Sequence, residues 1–324
     1  MTGWLRVAAI IALGALAAEG AGPSPARFDA AAYVSEGIDG DSRLVIFPGV
    51  GNESSIHLPL TLRYIAFGAS GESLYATAFQ RLDEKSFTTA PGLLKIGLNP
   101  VKVSRLPGFD DFDGINSFAV SRAEDKIVFS GARHDGNSRR CGVFEVSLPS
   151  GSMHPVLQTP DCIAGGPWRV VDLAPDSQEA VIKDLSRVPG TLVSSDPRLK
   201  LLDLQTAAAM PLEKELWKAA YSPDGKWIAA LQLGEHGVSK TFLIDRKDLS
   251  RRRDLGLGID ELVWSPDSQF ILHAVYRPAC IPGGGNALET IEIKTGTRTV
   301  LKNSICDAGS GLDIGWVSRR AGAR

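Results

Sequence analysis

A short motif recurs along this chain: an apolar segment, a turn of the Ser-Pro-Asp-Gly type, and a second apolar segment. Its clearest copies lie at residues 220–228 and 263–271, and a third lies at residues 172–181. Two eroded copies lie at residues 119–127 and 66–74. The copies follow one another at intervals of about 43 to 53 residues, which is close to the repeat length of a four-stranded propeller blade. Repetition at this period constrains the fold more strongly than any single residue.

The residues on either side of each turn have the length and pattern of β-strands. Apolar runs at residues 126–129, 227–231 and 270–275 are bounded by turn residues. Within the turn, Pro presets the backbone for a type I turn, and Asp or Ser caps a nearby backbone amide. A second strand pair follows each copy, most clearly at residues 290–301, where Thr and Gly form the hairpin turn. The sequence therefore predicts five blades, each with four antiparallel strands called A (innermost) to D (outermost).

A sixth blade is predicted from the two ends of the chain. A further copy of strand A, at residues 311–317, has no strands B to D after it, and the segments at residues 31–34, 43–47 and 55–60 have no blade of their own. Joining them closes an all-β, six-bladed β-propeller over residues 30–318, in which residues 30–61 and 311–317 form the closing blade. Closure protects sheet edges that an open array would expose. A two-sheet sandwich, an open β-solenoid, and rings of five or seven blades are the alternatives.

The turn that follows Tyr221 and Trp264 resembles the repeat of the TolB-like, WD-repeat-like propellers of exported bacterial proteins. The resemblance covers residues 30–318, and it is specific for the fold because the motif recurs in phase. It implies a binding scaffold without naming a ligand, since propellers of this kind bind many. Such propellers also precede the catalytic domain of prolyl-oligopeptidase-type enzymes, but the sequence contains no Gly-x-Ser-x-Gly nucleophile elbow.

The N-terminal segment and the overall charge predict where the protein acts. Residues 1–18 combine Arg6, an apolar run and a small-x-small pattern, which predicts a secretory signal peptide and a periplasmic or secreted protein. An uncleaved N-terminal anchor is the alternative. The net charge of −2 gives no sign of a nucleic-acid partner. We expect a monomer without a membrane span in its mature part.

Four cysteines in an exported chain predict two disulfides, and their spacing does not suit a zinc site. Cys141 opens strand C of the second blade, and Cys162 follows strand D of that blade. Cys280 and Cys306 take the corresponding places in the fifth blade. Because the start of strand C and the end of strand D lie at the same end of an antiparallel hairpin, we predict the pairs Cys141–Cys162 and Cys280–Cys306.

The loops predict a binding face. In known propeller geometry the B–C and D–A loops share one face around the channel mouth, and the Ser-Pro-Asp-Gly turns lie on the other. The B–C segments at residues 80–92, 131–141, 183–200 and 276–289 are long and rich in Arg, whereas the D–A segments and the first residues of strand A are acidic. We predict that this acidic rim binds the ligand, with solvated loops of no function as the alternative. The rim residues are Asp110, Asp111, Asp113, Asp161, Asp260, Glu261, Asp307 and Asp313.

Neither a metal site nor a cofactor site is predicted. Residues 111–114 begin like a calcium loop but lack its later bidentate Glu, and the five histidines show no ligand spacing, His273 being expected to pack in the core. The sequence leaves open whether calcium binds at the channel mouth. It favours an exported, non-catalytic propeller that binds a protein or peptide, or another polymer, on its loop-rich face. The alternatives are a secreted hydrolase or lyase with a metal-assisted site at the channel mouth, and a structural element of an envelope assembly.

Overall fold

A computed structural model describes most of the chain. The described residues are 28–36, 42–49, 52–58, 60–81, 87–89, 92–135, 138–160, 166–185, 198–213, 215–233, 239–257, 261–277, 285–305 and 313–318. The predicted signal peptide, Cys162, Cys280 and Cys306 lie outside these ranges. Within them, no helix has the length and apolar character required to cross a membrane.

All the regular elements of the described residues are β-strands. The first three are β1 (Phe28–Glu36), β2 (Ser42–Gly49) and β3 (Asn52–Leu58). Blade 1 has β4 (Leu62–Phe67), β5 (Ser73–Arg81), β6 (Phe87–Thr89), β7 (Leu94–Leu98) and β8 (Val101–Arg105). Blade 2 has β9 (Phe112–Val120), β10 (Lys126–Asp135), β11 (Ser138–Ser147) and β12 (Met153–Pro160).

The later blades repeat this order. Blade 3 has β13 (Trp168–Leu173), β14 (Glu179–Asp184), β15 (Arg198–Asp203) and β16 (Ala209–Pro211). Blade 4 has β17 (Leu216–Tyr221), β18 (Trp227–Leu233), β19 (Ser239–Asp245) and β20 (Arg252–Leu257). Blade 5 has β21 (Glu261–Trp264), β22 (Phe270–Arg277), β23 (Gly285–Glu292) and β24 (Arg298–Ile305), and β25 (Asp313–Ser318) follows it.

The six-bladed propeller is confirmed, and so is its closure. The closing blade has the strand order β25-β1-β2-β3, so that one C-terminal strand joins three N-terminal ones. In its register Ala31 lies opposite Trp316 and Tyr33 lies opposite Ile314. The innermost strands of neighbouring blades contact each other in a complete circle, from β4 through β9, β13, β17, β21 and β25 back to β4.

The core is divided into apolar clusters that lie between neighbouring blades. Side chains of a strand alternate between its two faces, so each strand contributes to the interface in front of it and to the one behind it. In blade 2, Ile127 and Phe129 pack against Tyr75 of blade 1, whereas Val128 packs against Ile182 of blade 3. The ring is therefore held together by side chains that lie between the sheets, with no single central core.

The repeated turn has a definite backbone requirement at its fourth residue. In blade 4 the hydroxyl of Ser222 donates to Asp224 at 2.7 Å, and Asp224 accepts the N–H of Lys226 at 3.1 Å. The fourth residue, Gly225, has φ of 70°, in the left-handed region that glycine adopts without strain. The fourth residues of the other described turns also have positive φ: Gly71, Glu124, Ser177 and Ser268. The motif thus ends in Gly because of backbone geometry, and the blades without Gly carry strain at this position.

Several segments that the sequence predicts as B–C loops are extensions of strands. In blade 2, β10 and β11 continue their pairing as far as Asp135 and Ser138, so the predicted loop at residues 131–141 is mostly hairpin. In blade 1, β6 pairs with the end of β5. In blade 2 the alternation of apolar residues fades after Ala132, because the tip of the projecting hairpin is largely exposed to solvent. The sequence of this segment therefore has the composition of a loop.

Candidate functional site

A channel runs along the axis of the ring and contains two adjoining chambers. The turn-side chamber has a volume of about 370 Å³ and is lined by apolar residues of the innermost strands and by residues of the A–B turns. The loop-side chamber has a volume of about 300 Å³ and is lined further along the same strands. Volumes of this size lie at the lower end of the range for small-ligand pockets. Ile65, Phe118, Val171, Lys218 and Asp313 line both chambers, which are therefore continuous.

Arg122 spans the turn-side end of the channel. It occupies the turn position at which blades 3, 4 and 5 carry Pro. Its guanidinium donates to the backbone carbonyls of Pro223 in blade 4 and of Pro266 in blade 5, the latter at 2.9 Å. Because Arg122 belongs to blade 2, these bonds cross the axis and narrow this mouth.

The innermost strands of blades 1 to 4 each contain a β-bulge beside the channel. A bulge places an extra residue on one strand, bends that strand and changes where its side chains point, and bulges are common next to functional sites. One of the bulged residues, Tyr64, has φ of 45°, a strained value for a residue with a side chain. The bulged residues are Tyr64, Asp113, Asn116, Val171 and Trp217, and two of them lie in β9. Tyr64, Val171 and Trp217 line the loop-side chamber, so bulges in three of the four strands shape it.

Ionisable side chains lie where the two chambers meet. Lys218 forms an ion pair with Glu261. Asp313 faces the channel, and its enclosure by protein raises its pKa to about 6, an effect that the nearby Lys218 opposes. Burial raises the pKa of Asp172 to about 7, although its carboxylate accepts the N–H of Tyr221 at 2.6 Å. The channel thus holds two carboxyl groups that titrate close to neutral pH.

The blade 2 part of the predicted rim is charge-paired. Asp110 and Asp111 are 73% and 70% exposed and form ion pairs with arginines, at 2.6 Å and 3.3 Å. Asp113 lies 2.9 Å from His134 and 3.1 Å from Arg139. The acidic groups of the rim and the basic groups of the B–C segment therefore contact each other in blade 2. The local excess of negative charge is small.

The other predicted rim residues fall into two groups. Glu261 and Asp313 line the channel, beside Lys218. Asp161, Asp260 and Asp307 lie outside the described residues. The structure thus brings two of the rim residues together inside the channel and places three others at the start of β9, the innermost strand of blade 2.

Lys183, Trp217 and Arg122 are not among the site residues predicted from the sequence. Lys183 follows three buried apolar residues in β14, and its Nζ lies 6.0 Å from the ring centroid of Trp217. A basic residue directly after a buried apolar run, and an Arg in place of the turn Pro, were the available signals. Trp217 packs against the cluster between blades 4 and 5, and it also lines the loop-side chamber.

Other residues considered as candidates have structural surroundings. Cys141 is fully buried and disulfide-bonded, whereas the pairing of the cysteines stays a prediction because the other three lie outside the described residues. His273 is fully buried, as expected, and burial lowers its pKa to about 3, so its imidazole is neutral. In the described ranges, no three His, Cys, Asp or Glu side chains are grouped as metal ligands would be.

Solved structures of other proteins are similar to this chain in their fold. TolB from Acinetobacter baumannii superposes with a TM-score of 0.63 and 14% identity, over 90% of this chain and 68% of that one. A putative TolB from Agrobacterium tumefaciens superposes with a TM-score of 0.57 and 10% identity, over 89% of this chain and 98% of that one. No protein-family model matches the sequence, and no curated protein does. With its six four-stranded blades and its closing blade built from both ends, the chain has the TolB-like β-propeller fold.

Proposed function

We propose that this chain is an exported, non-catalytic propeller that binds a protein partner, through a peptide segment that enters the loop-side chamber. The observation that carries this proposal is the chamber itself. Three bulged strands shape it, it has room for a few side chains, and it combines apolar walls with charged groups. Pockets that combine an apolar lining with a few placed polar groups are typical ligand sites.

The surroundings of the chamber support a macromolecular ligand. The hairpins β5–β6 and β10–β11 extend the blades beyond their four-stranded part. Such hairpins would contact a partner well outside the channel, and loops and hairpins on a rigid scaffold are where binding residues concentrate. The TolB-like fold agrees with a binding role, since this resemblance implies a scaffold. We further propose that the mature protein is a periplasmic or secreted monomer whose residues 1–18 are removed.

The test compares three sites on one chain. The partner is captured from the native periplasm or medium by chemical cross-linking, identified by mass spectrometry and purified, and its dissociation constant is then measured for each variant. Trp217→Ala in the chamber is expected to weaken binding by at least about tenfold, the effect of losing a central aromatic contact. The triple variant D110N/D111N/D113N tests the blade 2 rim, and we expect it to weaken binding because these residues lie beside the β10–β11 hairpin.

The matched control lies on the opposite face. Asp224→Ala and Asp267→Ala remove turn caps, so each is expected to lower the free energy of unfolding by about 1 kcal/mol without changing affinity. If the turn variants lost binding while the chamber and rim variants kept it, the partner would bind the face that carries the turns, and the proposed binding face would be wrong.

A second function has one observation in its favour. Asp172 and Asp313 titrate close to neutral pH beside Lys218, and carboxyl groups with raised pKa values are common general acids. A secreted hydrolase or lyase is therefore the alternative. Turnover of simple esters, lactones or polysaccharides that disappears in Asp313→Asn, while the melting temperature is kept, would favour the enzyme over the binding protein.

A further inference from the structure

Two basic residues of blade 3 lie directly opposite each other, and one of them, Lys183, lines the loop-side chamber. In the register of β13 and β14, Arg169 pairs with Lys183. Side chains of directly opposed residues in an antiparallel pair lie on the same face, and like charges in this arrangement repel each other. The chain therefore places two positive charges side by side, and the guanidinium of Arg169 donates to the backbone carbonyls of Gly166 and Trp168, at 3.1 Å and 2.8 Å.

Burial makes this arrangement more costly. The pKa of Lys183 is lowered by burial, and so is that of Arg169. Lys183 forms no ion pair with a carboxylate of the described residues. The adjacent acid, Asp184, is engaged by Lys200 at 2.6 Å. The contact that Lys183 does make is with the face of Trp217, a cation–π geometry that leaves its ammonium hydrogens available to another acceptor.

Trp217 contributes a second unsatisfied group to the same chamber. Its indole Nε1 is buried and has no hydrogen-bond acceptor, and its position results from the bulge in β17. A buried N–H without a partner is uncommon and calls for an explanation, such as an absent ligand. Lys183 and Trp217 Nε1 are thus two donors beside one cavity, and each lacks an anionic acceptor in the described part of the chain.

We propose that Lys183 and Trp217 form a subsite for a carboxylate group of a bound peptide, with Arg169 directly beside Lys183. This inference rests on the proposed function and specifies what the partner must present. The carboxylate is either the C-terminus of the partner or an Asp or Glu side chain. It accepts hydrogen bonds from the ammonium of Lys183 and from the indole N–H, and it neutralises the repulsion between the two basic residues.

The charges in the channel favour a monoanion over a more highly charged group. Lys218 is already paired with Glu261, and Asp313 also lines the loop-side chamber. A carboxylate therefore adds one negative charge beside Lys183. A phosphate group, with charge of about −1.5 to −2 at neutral pH, would bring more negative charge next to Asp313.

The test uses small probes and needs no knowledge of the partner. N-acetyl-glycyl-glycine carries a C-terminal carboxylate, and N-acetyl-glutamic acid α-amide carries one on its side chain. The corresponding amides carry none. Binding is followed by the ¹H–¹⁵N signal of the Trp217 indole, which the variant Trp217→Phe assigns. We expect saturable shifts with dissociation constants on the order of 1–10 mM for at least one carboxylate, and at least about tenfold weaker binding of the amides. Which carboxylate binds better identifies its source.

Variants establish that the lysine is responsible. Lys183→Gln keeps most of the length of the side chain and is expected to weaken carboxylate binding at least about tenfold, a loss equivalent to about 1.4 kcal/mol. Lys102→Gln, on the fully exposed strand β8, is the matched control and is expected to bind as the wild type does. Melting curves verify that each variant is folded.

Three results would overturn the subsite: equal binding of carboxylates and amides, preference for inorganic phosphate, or unchanged carboxylate binding by K183Q. These results are separable from failure of the proposed function. If K183Q captures the protein partner with unchanged affinity while the probes do not bind, the carboxylate subsite is wrong and the binding function stands. If the probes bind as expected but no partner is captured, the carboxylate subsite stands and the proposed protein-binding function is wrong.

Discussion

Glu124 is expected to be one of the most important single residues for the stability of the ring, although it lies in an eroded copy of the repeat. Its carboxylate belongs to blade 2 and accepts hydrogen bonds from three groups of blade 1, each at 2.8 Å: the N–H of Ser70 and the hydroxyls of Ser73 and Tyr75. Lys95 of blade 1 adds an ion pair at 3.1 Å. One side chain therefore joins two blades at four points.

The magnitude follows from the pKa of this carboxyl group. Burial would raise the pKa, but the hydrogen bonds from blade 1 outweigh burial and lower it from 4.5 to about 2. Each unit corresponds to about 1.4 kcal/mol, so the ionised form contributes on the order of 3 kcal/mol. The side chain is only 12% exposed, so solvent screening reduces this figure little. Because the folded pKa lies below the unfolded one, the contribution is complete above about pH 4.5 and is lost as the pH falls towards 2.

The substitution Glu124→Gln tests this reasoning by urea unfolding at a series of pH values. We expect the variant to be less stable than the wild type by about 3 kcal/mol at pH 7, with the difference shrinking between pH 4.5 and 3. Glu72→Gln, an exposed carboxylate in the corresponding turn of blade 1, is the matched control and should change stability by less than about 0.5 kcal/mol. A difference for E124Q that is equally small, or that does not depend on pH, would refute the reasoning.

Further predictions concern the turns, the closure and the cysteines. Ser177→Gly should stabilise the protein by about 0.5–1 kcal/mol, because Ser177 holds a positive φ and the atom by which it contacts Lys126 is its backbone oxygen; a loss of stability in thermal unfolding would contradict this. Removing residues 311–324 should lower the melting temperature and promote association, since β1 loses its partner β25; a monomer with unchanged melting temperature would contradict it. Non-reducing peptide mapping should find one disulfide within blade 2 and one within blade 5, each worth about 3 kcal/mol, and a bond between these two blades would disprove the predicted pairing.

The fold could be predicted from the sequence because its signals are local. Residues 222–225 specify a turn through their own side chains, and the apolar residues on either side specify two strands. Repeating this unit in phase leaves few architectures open, and the pairing of the two chain ends follows from counting strands. None of these steps requires knowledge of contacts between distant residues.

The candidate site could be predicted only in part, because its geometry depends on the register between strands. Glu261 and Asp313 were identified since they open innermost strands, and position in the repeat is visible in the sequence. The bulges that shape the chamber at Tyr64 and Trp217 arise from how two strands pair, and no local pattern shows where an extra residue falls. The opposition of Arg169 and Lys183 likewise depends on register.

The eroded turn of blade 2 shows why departures from a repeat are informative. Arg122 stands where blades 3, 4 and 5 have Pro, and it contacts blades 4 and 5 across the channel. Glu124 stands where the other blades have Gly or Ser, and it contacts blade 1. The backbone of Glu124 also has a positive φ, which Gly would adopt without strain. A residue that costs local strain persists when its side chain makes contacts that the consensus residue cannot make. The consensus of the repeat therefore specifies the blade, and the departures from it specify how this ring is joined and where its channel is narrowed.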